Sequence, residues 1–416
     1  MHAFQYRDGV LHAEEVPLTR IAEEVGTPVY VYSRRTLRDH YRRLDQAFAE
    51  VPHLICYSVK ANSNLGVLSV LAREGAGADI VSGGELYRAL KAGIPPERVV
   101  FAGVGKTAEE MAYALRSGIL MFNVESEGEL LLLDRVAGEL GKRADIALRI
   151  NPDVDPGTHP YIATGLKEAK FGITMEEAPA VLERAAALEH VRLVGVHQHI
   201  GSQITDVEPF RESLERTGEL VRSLRRKGLE IRYINIGGGF GIPYDEEEVP
   251  YPVDYARVLA PVLKEHGCTA ILETGRMIVG NAGVLVTRVL YRKRSGKKRF
   301  LVVDAAMNDL IRPSLYGSFH RILPVVESLR EEETVDVVGP VCETGDYLAR
   351  DRSLPRAEPG ELLAVMSAGA YGFVMSSNYN SRRRAAEVMV DGRDFLVVRE
   401  RETMDDLVRG ERVVPG

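Results

Sequence analysis

The sequence predicts an α/β fold: a TIM (β/α)8 barrel plus a mostly-β C-terminal domain that also takes in the N-terminal strands. Three observations carry this. Eight short apolar runs alternate with amphipathic helical patterns between about residues 54 and 276. After about residue 281 the texture changes to strand-like runs joined by turns, with few helical periods. Two further strand-like segments, FQYRDGVLHAEEV and TPVYVYS, precede the first barrel unit. The expected boundaries are 33–280 for the barrel and 1–32 with 281–416 for the β domain.

The eight runs are LICYSVK (54–60), ADIVS (78–82), VVFAG (99–103), LMFNV (120–124), IALRI (146–150), LVGVHQH (193–199), YINIG (233–237) and AILET (270–274). Helix-like stretches such as SNLGVLSVLAREGAG and EPFRESLERTGELVRSLRRKG lie between them, the second ending in Lys-Gly, a common helix stop. Alternating strands and helices imply parallel βαβ units, and eight such units fit a closed barrel better than an open sheet. Beyond them, VLVTRVLYRKR, KRFLVVDAA, ETVDVVGPVC, ELLAVMSAGAYGFV and AAEVMVDGRDFLVVRE read as strands, and the two N-terminal segments are expected to join their sheet.

Composition narrows the function. Of 416 residues, 45% are hydrophobic and 27% charged, which suits a globular chain with a real core. The net charge is −7 with both signs interspersed, unlike a nucleic-acid groove or a polybasic membrane patch. No apolar run approaches the roughly 18 residues of a spanning helix, and no signal peptide is read at the N-terminus. Three widely spaced cysteines, Cys56, Cys268 and Cys342, form neither a disulfide framework nor a metal motif, so a cytoplasmic setting is expected.

In such a barrel the site lies at the C-terminal ends of the strands. Lys60 closes the first run on the same face as Leu54, Cys56 and Ser58, which points it inward at the mouth. Shielded from water, such a lysine has a lowered pKa and can form a Schiff base; taken alone, it fits an ordinary strand-end lysine better. In VHQHIGSQ, His197 reads as a core histidine, whereas His199 fits ring stacking, acid–base work or a structural role equally, with Ser202 following in the loop. No carboxylate stands at metal-ligand spacing, so no metal is expected. Gly237, Gly238 and Gly239 follow the seventh run, where barrels often bind phosphate; a tight turn is the alternative. Glu273, Thr274, Gly275 and Arg276 follow the eighth, and Glu273 with Arg276 also fits a plain rim ion pair. In the β domain, RPSLYG, GPVCETGD and GAYGF bring Arg312, Tyr316, Cys342, Glu343 and Tyr371, each more often structural when read singly. Together, an inward amine, a phosphate cup, a histidine and a carboxylate are what pyridoxal 5'-phosphate requires.

YSVKAN, HIGSQ, GGGFG, ETGR, CETGD and GAYG, in this order and spacing, resemble the alanine-racemase-like (fold type III) pyridoxal-phosphate decarboxylases. THPYIATGLKEAKFGI, RPSLYG, CETGD and SSNYNSRRRAAEVMVDG are most similar to the diaminopimelate decarboxylase family within that group. The resemblance implies decarboxylation of meso-2,6-diaminopimelate to L-lysine and CO2, the last step of lysine biosynthesis. It also implies roles. Lys60 would hold the cofactor as a Schiff base, His199 would stack on its ring and Glu273 would pair with the pyridine nitrogen. Ser202, Gly237, Gly238, Gly239 and Arg276 would hold the phosphate, within a loop that includes Thr274 and Gly275. Arg276, Arg312 and Tyr316 would bind the substrate's distal carboxylate, and Glu343 its ammonium group. Tyr371 would touch cofactor and substrate, and Cys342 would be the proton donor. The CETGD-type loop would come from a partner subunit, so a homodimer with shared active sites is implied. One departure stands in the motif itself: Thr274 replaces the family's usual proline. Arginine, ornithine or carboxynorspermidine decarboxylases of the same fold, or a non-catalytic regulatory paralogue, are the alternatives.

Overall fold

The strands His53–Ser58, Gly77–Ile80, Val99–Phe101 and Met121–Val124 pair in parallel, each with the next. Ala144–Asn151, Val191–His197, Tyr233–Asn235 and Thr269–Leu272 continue the same parallel order. Thr269–Leu272 then pairs back onto His53–Ser58, with Leu272 opposite Ile55, and the sheet is closed. This eight-stranded barrel is the predicted one. A computed structural model provides these coordinates and describes residues 2–155, 157 and 170–416. The motif residues 158–169 of the THPYIATG segment lie outside the described residues.

Helices fill the connections, and their ends are written locally. Leu65–Arg73 starts on Asn64, whose side chain accepts from the Gly66 N–H. Ala108–Ser117 carries a reciprocal capping box between Thr107 and Glu110. Glu208–Arg226 buries Phe210, Leu214, Thr217, Val221 and Leu224, a three-to-four-residue stripe that seats it on the barrel.

Side-chain alternation divides the barrel interior into tiers. The lower tier is apolar: Cys56, Val100, Met121, Ala147, Val194 and Ile271 form one buried cluster. One alternation further along, Ser58, Asp79, Asn123, Arg149, His197, Asn235 and Glu273 form a buried polar tier. Simple alternation from Val194 would turn His197 outward. A register irregularity between Leu193 and Gly195 resets the parity and brings His197 back inside, opposite Arg149.

The chain divides into two compact units: Arg38–Pro243 with Glu248–Ile278, and Met1–Leu37 with Tyr244–Glu247 and Val279–Gly416. The second is built on a sheet whose order is Tyr347–Pro355, Glu332–Val338, Lys298–Val303, Gly283–Ser295, Val29–Ser33, Ala386–Asp391 and Asp394–Arg399. Val29–Ser33, from the TPVYVYS segment, inserts between Gly283–Ser295 and Ala386–Asp391. The other N-terminal segment departs from expectation in its pairing. Phe4–Arg7, Val10–Ala13 and Val16–Pro17 make a separate three-stranded sheet. It belongs to the same domain through its core, because Phe4, Leu11, Ala13 and Val16 pack with Val29, Val284, Val286 and Val388. Among the described residues, no helix is long and apolar enough to cross a membrane.

Met121 is fully buried in the lower tier. Met121→Ala is expected to lower the unfolding free energy by about 2–5 kcal/mol. Leu131→Ala, at an exposed helix position, should change it by less than about 0.5 kcal/mol. Urea midpoints of the two variants check this; equal midpoints would contradict the packed barrel core.

Candidate active site

Every barrel strand relevant to the site ends earlier than its apolar run. The first strand stops at Ser58, and Lys60 sits on a single 3-10 turn, Val59–Ala61. Strand parity therefore does not aim Lys60; the turn does. His199, Gly237 and Glu273 likewise lie one or two residues past Val191–His197, Tyr233–Asn235 and Thr269–Leu272. Backbone bonds to the adjacent chain still run just past the strand ends. Gln198 N donates to Asn235 O, Ile236 N to Ile271 O and Glu273 N to Gly237 O.

Lys60 Nζ lies 2.6 Å from Asp79 Oδ2, and the lysine side chain is 38% exposed. Ser58 Oγ lies 2.7 Å from Asp79 Oδ2 and 2.8 Å from the Glu273 carbonyl, tying the first, second and eighth strands together. Asp79 is fully buried, and its Oδ1 finds no hydrogen-bond partner among the described residues. Burial and the charge of Glu273 push its carboxyl up, against the pull of Lys60 and Ser58.

Glu273 behaves oppositely. Burial alone would raise it, but His197, Lys60 and the Asn235 amide outweigh that and hold it well below the usual carboxylate range. Asn123 Nδ2 and Asn235 Nδ2 donate to Oε1 at 2.9 and 2.6 Å. His197 Nε2 stands 3.2 Å from Oε2. A carboxylate so placed stays ionised without water.

His199 Nδ1 accepts from the Gly238 N–H at 3.2 Å, which leaves Nε2 to carry the proton of the neutral ring. Burial, Arg149 and Lys60 together push its pKa well below the ordinary histidine value, so the ring is uncharged at neutral pH. The glycine run lies flat against the loops beside it. A Cβ on Gly237, where φ is +70°, would fall 2.5 Å from the Gln198 carbonyl, and one on Gly238 would fall 2.0 Å from the Glu273 carbonyl. Two N–H groups of the run are used within the protein, Gly237 to Asn235 Oδ1 and Gly238 to His199 Nδ1. At the rim, Arg276 Nη2 donates to Ser202 Oγ at 2.9 Å. Gly275 lets its loop reach the turn of Lys60, since a Cβ there would meet Ala61 and Ser58 at 2.8 and 2.9 Å. Thr274 is buried and its hydroxyl finds no partner among the described residues.

The remaining candidates belong to the second compact unit. Arg312 and Tyr316 share the short helix Arg312–Tyr316, with Arg312 buried and Tyr316 half-buried. Ser314 Oγ donates to Gly345 O at 2.5 Å, joining RPSLYG to CETGD. Cys342 and Glu343 are exposed on that loop. The Glu343 carboxylate bonds the Tyr379 hydroxyl and raises its pKa. Tyr371 is half-buried with φ +54°, a strained conformation for a bulky residue and one concentrated at functional sites. Asp79, Asn123 and Asn235 were not singled out from the sequence. Each is a polar residue set inside a short apolar run, ADIVS, LMFNV or YINIG, and that interruption is the signal the sequence offers.

Residues 34–280 match the family model described as pyridoxal-dependent decarboxylase, pyridoxal binding domain. The diaminopimelate decarboxylase of Pseudomonas aeruginosa is 56% identical over 415 residues, covering 100% of both chains. The chain belongs to the diaminopimelate decarboxylase family. The family's Aquifex aeolicus member is 53% identical over 405 residues, covering 97% of this chain and 96% of that one. The crystal structure of the Helicobacter pylori enzyme complexed with L-lysine superposes with a TM-score of 0.92 at 44% identity, covering 94% of this chain and 98% of that one. The family's cofactor, pyridoxal phosphate, fits the donor set: an amine at Lys60, a buried anion at Glu273 and a guanidinium–hydroxyl pair at Arg276 and Ser202.

The depressed Glu273 carboxyl sets a pH dependence. Its stabilising contribution is fully present above its ordinary value of 4.5 and is lost as pH falls below that. Urea midpoints of wild type measured from about pH 6 to about pH 3 should therefore fall more steeply than those of Glu273→Gln. Parallel slopes would contradict an ionised Glu273.

Proposed function

We propose that this chain decarboxylates meso-2,6-diaminopimelate to L-lysine and CO2, the last step of lysine biosynthesis, as a pyridoxal-phosphate-dependent carboxy-lyase. The observation that carries the reading is a buried Glu273 held ionised within the electrostatic reach of the Lys60 amine, in a chain 56% identical over its full length to a diaminopimelate decarboxylase. When bound, the cofactor supplies a protonated pyridine ring that accepts the electron pair left by departing CO2.

The chain's own residues prepare that chemistry. Lys60 offers the amine that holds the cofactor's aldehyde carbon, with Asp79 beside it to take up hydrogen bonds from Nζ. Glu273 keeps the ring nitrogen protonated by opposite charge. His199, neutral and anchored through Nδ1, presents an uncharged face for the ring. Ser202, Arg276 and the glycine run bind the phosphate. Gly239, with the paired rim side chains, carries more of this role than Gly237 and Gly238, whose N–H groups are already engaged.

Arg276, Arg312 and Tyr316 receive the distal carboxylate, Glu343 its ammonium group, and Tyr371 touches cofactor and substrate. A substrate lacking that carboxylate forgoes the charge-assisted contact with the Arg312 guanidinium, which disfavours lysine and ornithine. Cys342 delivers the proton to the reacting carbon. A proton donor works best away from bulk water, yet Cys342 and Glu343 are exposed in the single chain. A second copy supplying this loop to a shared active site resolves that, so the working form is a homodimer. The setting is cytoplasmic, where three free thiols persist.

The deciding assay follows lysine and CO2 from meso-diaminopimelate with and without pyridoxal phosphate, with ornithine and arginine as controls. Cofactor-dependent turnover of diaminopimelate alone is expected; turnover of the controls instead would reassign the substrate. Lys60→Ala should abolish both turnover and the visible absorbance of the amine-held cofactor. Glu343→Gln should lower kcat/KM for diaminopimelate by roughly 10–100-fold while leaving cofactor affinity unchanged. Equal loss of both would count against its substrate role.

A further inference from the structure

His320 is fully buried in the unit that carries Arg312, and two partners define its state. Its Nδ1 lies 2.9 Å from the Met366 carbonyl, which can only accept, so Nδ1 carries the ring proton. Its Nε2 lies 3.0 Å from Arg312 Nη1, which can only donate, so Nε2 presents a lone pair to the guanidinium. Only the neutral Nδ1–H tautomer satisfies both. The Tyr244 ring braces the pair, meeting the imidazole edge-on at 5.3 Å and lying 4.8 Å from the guanidinium carbon. Arg312 Nη2 also donates to Ser318 Oγ at 3.3 Å. Arg352 Nη1 donates to the His320 carbonyl at 2.7 Å and fixes the backbone that carries the ring.

We propose that His320 is a positioning residue that sets this enzyme's selectivity for a carboxylate at the substrate's distal end, by orienting the Arg312 guanidinium through a neutral acceptor. The inference rests on Arg312 being the receiver of that carboxylate. Fork-to-fork recognition of a carboxylate depends on the plane of the guanidinium, because two parallel N–H groups must meet two oxygens. Nε2 and the Tyr244 face together set that plane. The chemistry of the acceptor matters as much as its position. A carboxylate there would orient Arg312 equally well but would cancel its charge and compete with the substrate. An uncharged imidazole orients the fork and leaves its charge intact.

The product keeps the distal carboxylate, whereas 1,5-diaminopentane lacks it, so the two are probes of Arg312. The full-length holoenzyme is assayed as wild type, His320→Met, His320→Gln and Arg312→Met. His320→Met removes the acceptor at similar bulk. In His320→Gln the amide oxygen reaches the place of Nε2. His320→Met is expected to raise KM for diaminopimelate and the inhibition constant of L-lysine by ~10–100-fold. Its kcat and its inhibition constant for 1,5-diaminopentane should stay within about threefold of wild type, and His320→Gln should recover most of the loss. If His320→Met does not fold, His320→Asn replaces it, since its shorter amide reaches Met366 but not Arg312. Unchanged KM and lysine inhibition in these variants overturn the proposal. So does a loss shared equally by kcat, lysine and diaminopentane without recovery in His320→Gln, which marks a merely structural role. If Arg312→Met itself leaves KM and lysine inhibition unchanged, the reading of Arg312 fails and the role of His320 falls with it. Failure of the His320 variants alone leaves Arg312 in place.

Discussion

Glu273 holds a negative charge at a depth that water does not reach. An isolated carboxylate would neutralise itself there, because burying a charge without compensation is very unfavourable. Asn123, Asn235 and His197 provide that compensation from three other strands. Their side chains converge only if the barrel closes in this register, with the bulge before Gly195 turning His197 inward. Charge, register and closure are thus one constraint. The apolar tier below, from Cys56 to Ile271, supplies the low-dielectric floor that makes the charge effective.

The same depth drives two carboxylates in opposite directions. Asp79 and Glu273 are both buried, and each one's charge disfavours the other's. The amides and imidazole favour ionisation at Glu273, so the upward shift falls on Asp79. Lys60 bonds Asp79 at its outer oxygen and remains partly exposed at the mouth. A neutral His199 completes the arrangement, and its neutrality follows from burial and from Arg149 and Lys60 nearby. The glycine run serves this geometry through contact distance. Its backbone packs so tightly on Gln198 and Glu273 that no side chain fits, and its N–H groups then hold His199 and Asn235 in place.

Much of this was legible in residue order. Alternating apolar runs and helical stripes specify a closed parallel barrel, because period-two and period-3.6 patterns cannot be exchanged. Lys60, His199, Glu273 and Arg276 stand just after such runs, where barrels place their chemistry. Strand ends were less legible. Val59, Gln198 and Ile236 are as apolar or extended-looking as the residues before them, yet Val59 already opens a 3-10 turn and the strands stop at His197 and Asn235. Asp79, Asn123 and Asn235 escaped notice because a lone polar residue in an apolar run carries no sign of what it faces. His320 escaped for the same reason: nothing near it in the chain announces Arg312, Tyr244 and Met366 as its neighbours.

By itself, then, the sequence determined the barrel and the β domain that takes in the Val29–Ser33 strand, and it marked the polar groups that follow the barrel strands. These follow from local periodicity and from motifs a few residues long. Tertiary structure alone decided which groups are charged, which face each ring and guanidinium presents, and that Phe4–Val16 forms its own small sheet. Those outcomes depend on desolvation and on hydrogen bonds between residues far apart in the chain, such as Asn123 with Glu273. Local sequence holds no record of either, because both arise only when the strands are brought side by side.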